Sequence, residues 1–328
     1  MKNTLLFLIL CLISLVSNAQ KFEWDAEFRG IGDNREFSPQ YARPQTIIGE
    51  RASFALGTTI DSTHTLRVGL THFYEFGTDI NYNKPQVTAY YKFDNGSTQF
   101  FFGAFPRYDL LNFPLAMLTD TISYYHPNIG GTLAQHEWSW GNQLVFIDWT
   151  AKQLNNQREQ FMAGTSGTIR LGNAYVENFL MMYHYALSSN HDDSQHIIDN
   201  TALNINLGYD FSNMVALDQF YIEVGLFTSQ YRERRVSDRF ESASSFLSTI
   251  FLQWKRLAVR NTLNIGGGHN ILTGDSYYTA NNYMRTDFIL TLIEHKRIKA
   301  TFNMSFHLAD WQTIDNQQQM SVTYNIGS

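Results

Sequence analysis

Apolar and polar side chains alternate along this chain in stretches of about ten residues, the length and rhythm of a membrane-crossing strand. Successive side chains of a strand point to opposite faces, so strict alternation gives each stretch one apolar and one polar face. From Lys299 to Leu308, Ala300, Phe302, Met304, Phe306 and Leu308 share one face, and Lys299, Thr301, Asn303, Ser305 and His307 share the other. Met320, Val322, Tyr324 and Ile326 alternate in the same way with Gln319, Ser321, Thr323 and Asn325. The pattern recurs at Leu203 to Asp210, at Phe220 to Leu226 and at Leu66 to Thr71, and no 3.6-residue period competes over a comparable length.

These segments predict an all-β fold, a transmembrane antiparallel up-and-down barrel of about sixteen strands, an even number as in single-chain bacterial barrels. The connections carry the same message. Asp61 to His64, Asp94 to Ser97, Ser139 to Asn142, Leu171 to Asn173, Lys255-Arg256 and His295-Lys296 read as tight periplasmic turns, and Phe211 to Leu217 as the longest on that side. Between them fall longer segments expected to be extracellular: Ile31 to Arg43, Gly77 to Lys84, Pro106 to Pro127, Lys152 to Gln157, Ser188 to His196, Arg232 to Arg239, His269 to Tyr277 and Ala309 to Gln317. Long and short alternate without exception. All the prolines, Pro39, Pro44, Pro85, Pro106, Pro114 and Pro127, fall in or beside predicted outer loops, as expected of a residue that cannot donate to a sheet ladder.

The N-terminus sets the compartment. Lys2, the apolar run Leu5 to Val16, and Ser17-Asn18-Ala19 before Gln20 have the form of a signal peptide over residues 1–19, leaving 20–328 as a single barrel domain in the cell outer membrane. Cys11 lies mid-run after Leu10, so it is read as part of the signal rather than a lipidation site, and the mature chain carries no cysteine. An exported chain of 328 residues without disulfides depends on a continuous hydrogen-bonded fold, which a closed sheet supplies. The net charge of -6 argues against a phosphate-binding surface, so no nucleic-acid partner is expected. Aromatic residues at 15% beside charged residues at 16%, with a mean hydropathy of -0.27, suit a wall in which only alternate side chains meet hydrocarbon. Trp24, Trp138, Trp149, Trp254, Tyr209 and Tyr324 lie near strand ends, where ring side chains form interfacial girdles.

In this architecture, though in no sequence motif, the mature chain resembles the porin-like outer-membrane barrels of Gram-negative bacteria. It departs from their common pattern at the terminus, ending Tyr324-Asn325-Ile326-Gly327-Ser328 where a final Phe is usual. The resemblance implies outer-membrane lipid, lipopolysaccharide and the barrel-assembly machinery as partners, small hydrophilic solutes as cargo, and a homotrimer as one expected assembly. It also implies that the third outer loop folds into the lumen. That loop, Pro106 to Pro127, is the longest, and Arg107, Asp109, Asp120, His126, Tyr124 and Tyr125 are its candidate constriction residues. The competing expectation is a lid on the rim, because Leu110, Leu111, Phe113, Leu115, Met117 and Leu118 favour burial.

Strand parity points Arg67, Glu75, Asp148, Glu223, Arg260, Arg285, Asp287 and Lys299 into the lumen, where rings of charge tune which ions pass. A barrel this wide cannot be filled by wall side chains, so water or a loop must occupy it. His191-Asp192-Asp193 with His196 is read as a solvated loop rather than a metal site, and no metal or cofactor is expected. Arg232, Arg234, Arg235 and Arg239 could grip a phosphate, but Glu233 and Asp238 partly cancel them. Gly266-Gly267-Gly268 has no helix behind it to make a phosphate cradle.

Three functions follow. The first is a porin-like channel for passive or weakly selective diffusion of small hydrophilic solutes. The second is a surface protein whose loops bind a glycan or partner, or serve assembly, without an open channel. The third is a barrel lipase or protease, but no nucleophile elbow and no Ser/His/Asp set is found, so the chain is read as a non-enzyme.

Overall fold

The computed structural model describes residues 20–327, so the expected signal peptide and Cys11 lie outside the described residues. Sixteen strands close into one barrel: β1 (Gln20–Glu36), β2 (Gln45–Ile60), β3 (His64–Glu75), β4 (Gln86–Asp94), β5 (Thr98–Pro106), β6 (Asn128–Trp138), β7 (Gly141–Ala151), β8 (Gln160–Leu171), β9 (Ala174–Tyr185), β10 (Ile198–Asp210), β11 (Gln219–Glu233), β12 (Glu241–Trp254), β13 (Leu257–Gly266), β14 (Asn282–His295), β15 (Ile298–Ala309) and β16 (Thr313–Gly327). Each strand pairs antiparallel with its sequence neighbours, and β16 closes on β1 with Tyr324 opposite Phe28. Closure leaves no unpaired edge, the condition for a sheet to cross lipid.

Alternation decides which face is which. On β3 the outward Leu66, Val68 and Leu70 are 53%, 62% and 57% exposed, whereas Thr71 and Phe73, pointing inward, are 5% exposed. Water would not tolerate such a belt of bare apolar side chains; hydrocarbon does. Trp138, Trp149, Trp254, Tyr209 and Tyr324 are also exposed.

The long connections gather at one end, as 37–44, 76–85, 107–127, 152–159, 186–197, 234–240 and 267–281, and short ones at the other. Two connections break the strict alternation of lengths. At the periplasmic end, 211–218 includes a short turn of 3₁₀ helix at Ser212–Met214, and at the outer end the expected loop Ala309 to Gln317 is a tight turn, 310–312. Asp310 and Trp311 there adopt φ of 49° and 60°, the left-handed pair of a type I′ hairpin, reached without the usual Asn or Gly. Strand β16 therefore starts early, and its Asp315 and Gln317 face the interior rather than solvent. Strand β1 similarly runs on to Glu36, through residues expected in the first loop.

The main hydrophobic core lies inside the barrel. Phe113, Ala116, Met117 and Leu118 of the third loop pack with Tyr277 and Tyr278 of the 267–281 loop and with inward wall side chains such as Phe146 and Met181. Loops therefore fill the outer half of the lumen.

Candidate functional site

The third loop is held in the lumen by polar anchors at both ends. Arg107, 2% exposed, donates from Nε to the His126 carbonyl at 2.9 Å and forms an ion pair with Asp148 on β7. Asp148 in turn accepts from the Gly130 amide at 2.7 Å, so one buried pair staples both ends of the loop to the wall. Farther along the loop, the short helix α1 (Thr121–Tyr125) is received by Arg51 of β2, which donates to the Tyr124 carbonyl at 2.9 Å and to that of Ser123. A guanidinium at carbonyls near a helix C-terminus satisfies acceptors that the helix itself leaves open. Tyr124 is buried, its hydroxyl donating to Asp33 at 3.3 Å, and Tyr125 donates to Glu75 at 3.1 Å.

The 267–281 loop clasps the third loop from the opposite wall. The Thr119 amide donates to the Thr273 carbonyl, the Asp275 amide to that of Leu115 and the Thr273 hydroxyl to that of Met117, each at 2.8 Å. A Cβ on Gly274 would stand 2.1 Å from the Ala116 carbonyl oxygen, so this approach requires glycine. His269 pins the clasp, with Ser229 at 2.8 Å from Nδ1 and Ser245 at 2.8 Å from Nε2. Burial holds this imidazole neutral, with a pKa of about 4.

Three cavities thread past the plug. An outer vestibule of about 540 Å³ is lined by Arg35, Thr119, Tyr125, His126 and Tyr183, among others. A gap of about 210 Å³ shares Arg35, Gln45, Thr119 and Thr121 with it. An inner chamber of about 580 Å³ shares Asp120 and Arg285 with the gap. Arg35 pairs at the gap with Asp33 at 2.6 Å and Asp120 at 3.1 Å; Arg285 meets Asp287 at 2.8 Å and Asp275 at 3.7 Å. The gap thus carries Arg35, Arg43 and Arg285 against Asp120 and Asp275. Burial inside the lumen raises the Asp275 carboxyl above the usual aspartate range, against the pull of Arg285.

The candidates named from sequence occupy different places. Of the third-loop set only Asp120 lines the gap; Tyr125 and His126 line the vestibule, Tyr124 and Arg107 are anchors, and Asp109 is exposed at a turn with φ of 63°. Of the wall set, Glu223, Arg260, Arg285 and Asp287 line the chamber, and Arg67 lines a periplasmic-mouth cavity with Glu23 and Lys92. Asp148 is the buried partner of Arg107, Glu75 accepts from Tyr125, and Lys299 is exposed near the inner end of β15. Sequence reasoning missed Asp33 and Arg35, because they were assigned to a loop; parity carried on along β1 would have turned both inward. It also missed Arg51, Asp275 and Gln319. Among the described residues no three His, Cys, Asp or Glu side chains gather to hold a metal, and His191 and His196 turn apart to the Ser188 carbonyl and to Glu233.

A family model, the lipid A 3'-O-deacylase type, matches residues 17–327. The chain belongs to this family. No curated protein matches its sequence. Among solved structures the barrel is similar to the outer membrane protein OpdK from Pseudomonas aeruginosa, with 11% identity over 94% of this chain and 99% of that one and a TM-score of 0.51. In vitro folded OmpT from Vibrio cholerae has 10% identity over 95% and 99%, with a TM-score of 0.56. The anion-selective porin from Comamonas acidovorans has 8% identity over 94% and 99%, with a TM-score of 0.53. The fold is thus that of porin-like outer-membrane barrels, while the family overturns one expectation: a chain read as a non-enzyme belongs to a family named for a deacylase. Triads are recognised by geometry, and the absence of a motif did not exclude that chemistry.

Proposed function

We propose that the barrel carries a narrow, charged passage for small hydrophilic solutes across the outer membrane. The observation behind it is the sharing of residues between successive cavities, vestibule to gap through Arg35 and gap to chamber through Asp120 and Arg285. Opposite charges facing one another across such a gap keep it wet and select by charge. Purified protein in planar bilayers is expected to give small, steady, ion-selective currents, and proteoliposomes to swell in small sugars but not in large ones. Electrically silent bilayers together with unswollen liposomes would remove the passage.

Family membership favours a second activity on a different surface, hydrolysis of an acyl ester of an outer-leaflet glycolipid. On the outward side of β16, β1, β2 and β3, above the apolar belt, polar groups replace hydrocarbon-facing ones. The Asn34 amide donates to Gln318 at 2.7 Å and to Glu36 at 3.0 Å and accepts from Thr46 at 2.8 Å, while Glu50 and His72 follow on β2 and β3. Gly30 and Gly32 leave the wall bare beside them. Carboxylates are unfavourable against lipid tails but suit the depth of ester linkages and headgroups. By contrast, Ser229 and Ser245, which contact His269, are 3% and 5% exposed, out of reach of a lipid. Fatty-acid release from purified lipid A, abolished in Glu50→Gln or His72→Gln, tests this surface; no release in any condition rejects it.

A further inference from the structure

The inner chamber holds both signs of charge without pairing them fully. Its roof is Asn112 to Leu115 of the third loop, and Glu177 of β9, Glu223 of β11 and Arg260 of β13 are on its wall. Across β10, Glu177 stands level with Asn206 and Glu223 level with Gly208. The bare Gly208 lets the Tyr175 ring lie over it, a Cβ there falling 2.2 Å from the ring, so that the Tyr175 hydroxyl donates to Glu223 at 2.8 Å. The amide oxygen of Asn206 lies over bare Gly225 in the same way. Tyr175 thus holds Glu223, and the Glu177 carboxyl, approached by the Thr168 hydroxyl at 3.5 Å, stands beside that of Glu223, so the two form one acidic pair on the wall. Among the described residues neither takes part in an ion pair, the chamber's own pairs being those of Arg285 and Arg35.

Arg260 forms no close ion pair among the described residues, although its charge reaches Tyr221 and Glu223. Its neighbour across the β13–β14 ladder, Asp287, is already engaged by Arg285 at 2.8 Å and by Ser305 at 2.5 Å. The Arg260 guanidinium lies 5.3 Å from the Phe251 ring, which orients it without neutralising it. Arg170, the other nearby cation, is at the periplasmic rim, 5.3 Å from the Tyr175 ring. Glu223 and Arg260 stand two strands apart, about 10 Å along the wall. Charges withdrawn from bulk water normally find partners, and here a solute can supply both.

We propose that this chamber is a binding site for a zwitterionic solute of amino-acid or short-peptide size, its ammonium received by Glu177 and Glu223 and its carboxylate by Arg260. The cavity, about 580 Å³, is in the range of sites for small ligands. Delivery from outside rests on the passage proposed above, while the site itself also faces the periplasmic half of the lumen.

The test uses glycylglycine, with N-acetylglycylglycine and glycylglycinamide as analogues that each keep one charge, titrated calorimetrically into the purified full barrel in lipid nanodiscs. Glycylglycine is expected to bind at least about tenfold more tightly than either analogue, since each loses one charge-assisted contact. The conservative variants Glu223→Gln and Arg260→Gln, checked for heat-modifiable migration of the folded barrel, are expected to erase that preference, the first against N-acetylglycylglycine and the second against glycylglycinamide. Absence of binding, equal binding of all three compounds, or a preference unchanged in both variants overturns the site. Potassium chloride conductance measured in parallel separates the two proposals: current without dipeptide binding removes the site and keeps the passage, and binding without current does the reverse.

Discussion

The outer and inner halves of the lumen share one wall and differ in what fills it. In the outer half, loops 107–127 and 267–281 bring in their own apolar side chains, and Phe113, Met117 and Tyr277 are 8%, 0% and 0% exposed. In the inner half, beneath Asn112 to Leu115, the wall's own Glu177, Glu223, Arg260 and Asn303 line open space. A closed sheet of this size sets a diameter that its side chains cannot bridge, so filling is a property of loops. In the proposed passage, selectivity therefore belongs to the plug and capacity to the chamber beneath it.

Removing the plug is the largest perturbation available. Excision of residues 110–123 with a short Gly-Ser bridge takes out the roof, the first three residues of helix α1 and the Asp120 side of the gap together. Single-channel conductance is expected to rise severalfold and charge selectivity to fall, because the remaining aperture is the whole wall. Unchanged conductance would mean that ions do not use the lumen.

Loosening the plug without removing it comes next. Arg107→Ala leaves Asp148, 1% exposed, without its cation and with only the Gly130 amide, and breaking a buried pair in this way costs on the order of 3–5 kcal/mol. The expected signs are noisy, flickering currents and faster proteolysis within 107–127, with the wall still folded by heat-modifiable migration. The double variant Arg107→Ala with Asp148→Ala removes both charges and is expected to recover part of the loss.

The same comparison explains what could be read from sequence. Wall parity was legible because lipid imposes it on every second residue: Leu66, Val68 and Leu70 have no alternative orientation once the sheet closes. Loop destinations were not, because burial propensity does not say against what. Leu118 and Met117 pointed to burial, and a rim lid satisfied that as well as a lumen plug. The polar anchors that decide the matter, Arg51 with the α1 carbonyls and Thr273 with Met117, join residues far apart in sequence and leave no local signal. Asp33, Arg35 and Asp315 were lost for another reason. Their strands continue beyond the membrane belt, where outward residues such as Asn34, Asn316 and Gln318 are polar too, so alternation in hydropathy disappears although the alternation in direction persists. The deacylase family was not legible at all, since no local motif marks it.

Within the gap, neutralising one carboxylate is a smaller change than moving a loop. Asp120→Asn keeps the shape and the approach of Gln319, at 2.6 Å, but removes the charge facing Arg35. Reversal potentials in a salt gradient are expected to move toward anions by several millivolts, with conductance little changed. An unmoved reversal potential would place Asp120 outside the ion path.

The smallest expected effect is a pH dependence, and its sign follows from Asp275. Burial raises this carboxyl, so it gains its proton before ordinary aspartates as the solution is acidified. At neutral pH Asp275 and Asp120 oppose Arg35, Arg43 and Arg285 across the gap; when Asp275 is neutral the arginines, which keep their charge, dominate. Anion selectivity is therefore expected to increase as pH falls through a midpoint above the ordinary aspartate value of about 3.9, and to return on raising it. Asp275→Asn is expected to show the acid-side selectivity at neutral pH and to lose this step. Because Asp275 also donates its backbone amide to Leu115, a contact the asparagine keeps, an identical titration in the variant would assign the step to another group and leave Asp275 as an anchor of the clasp.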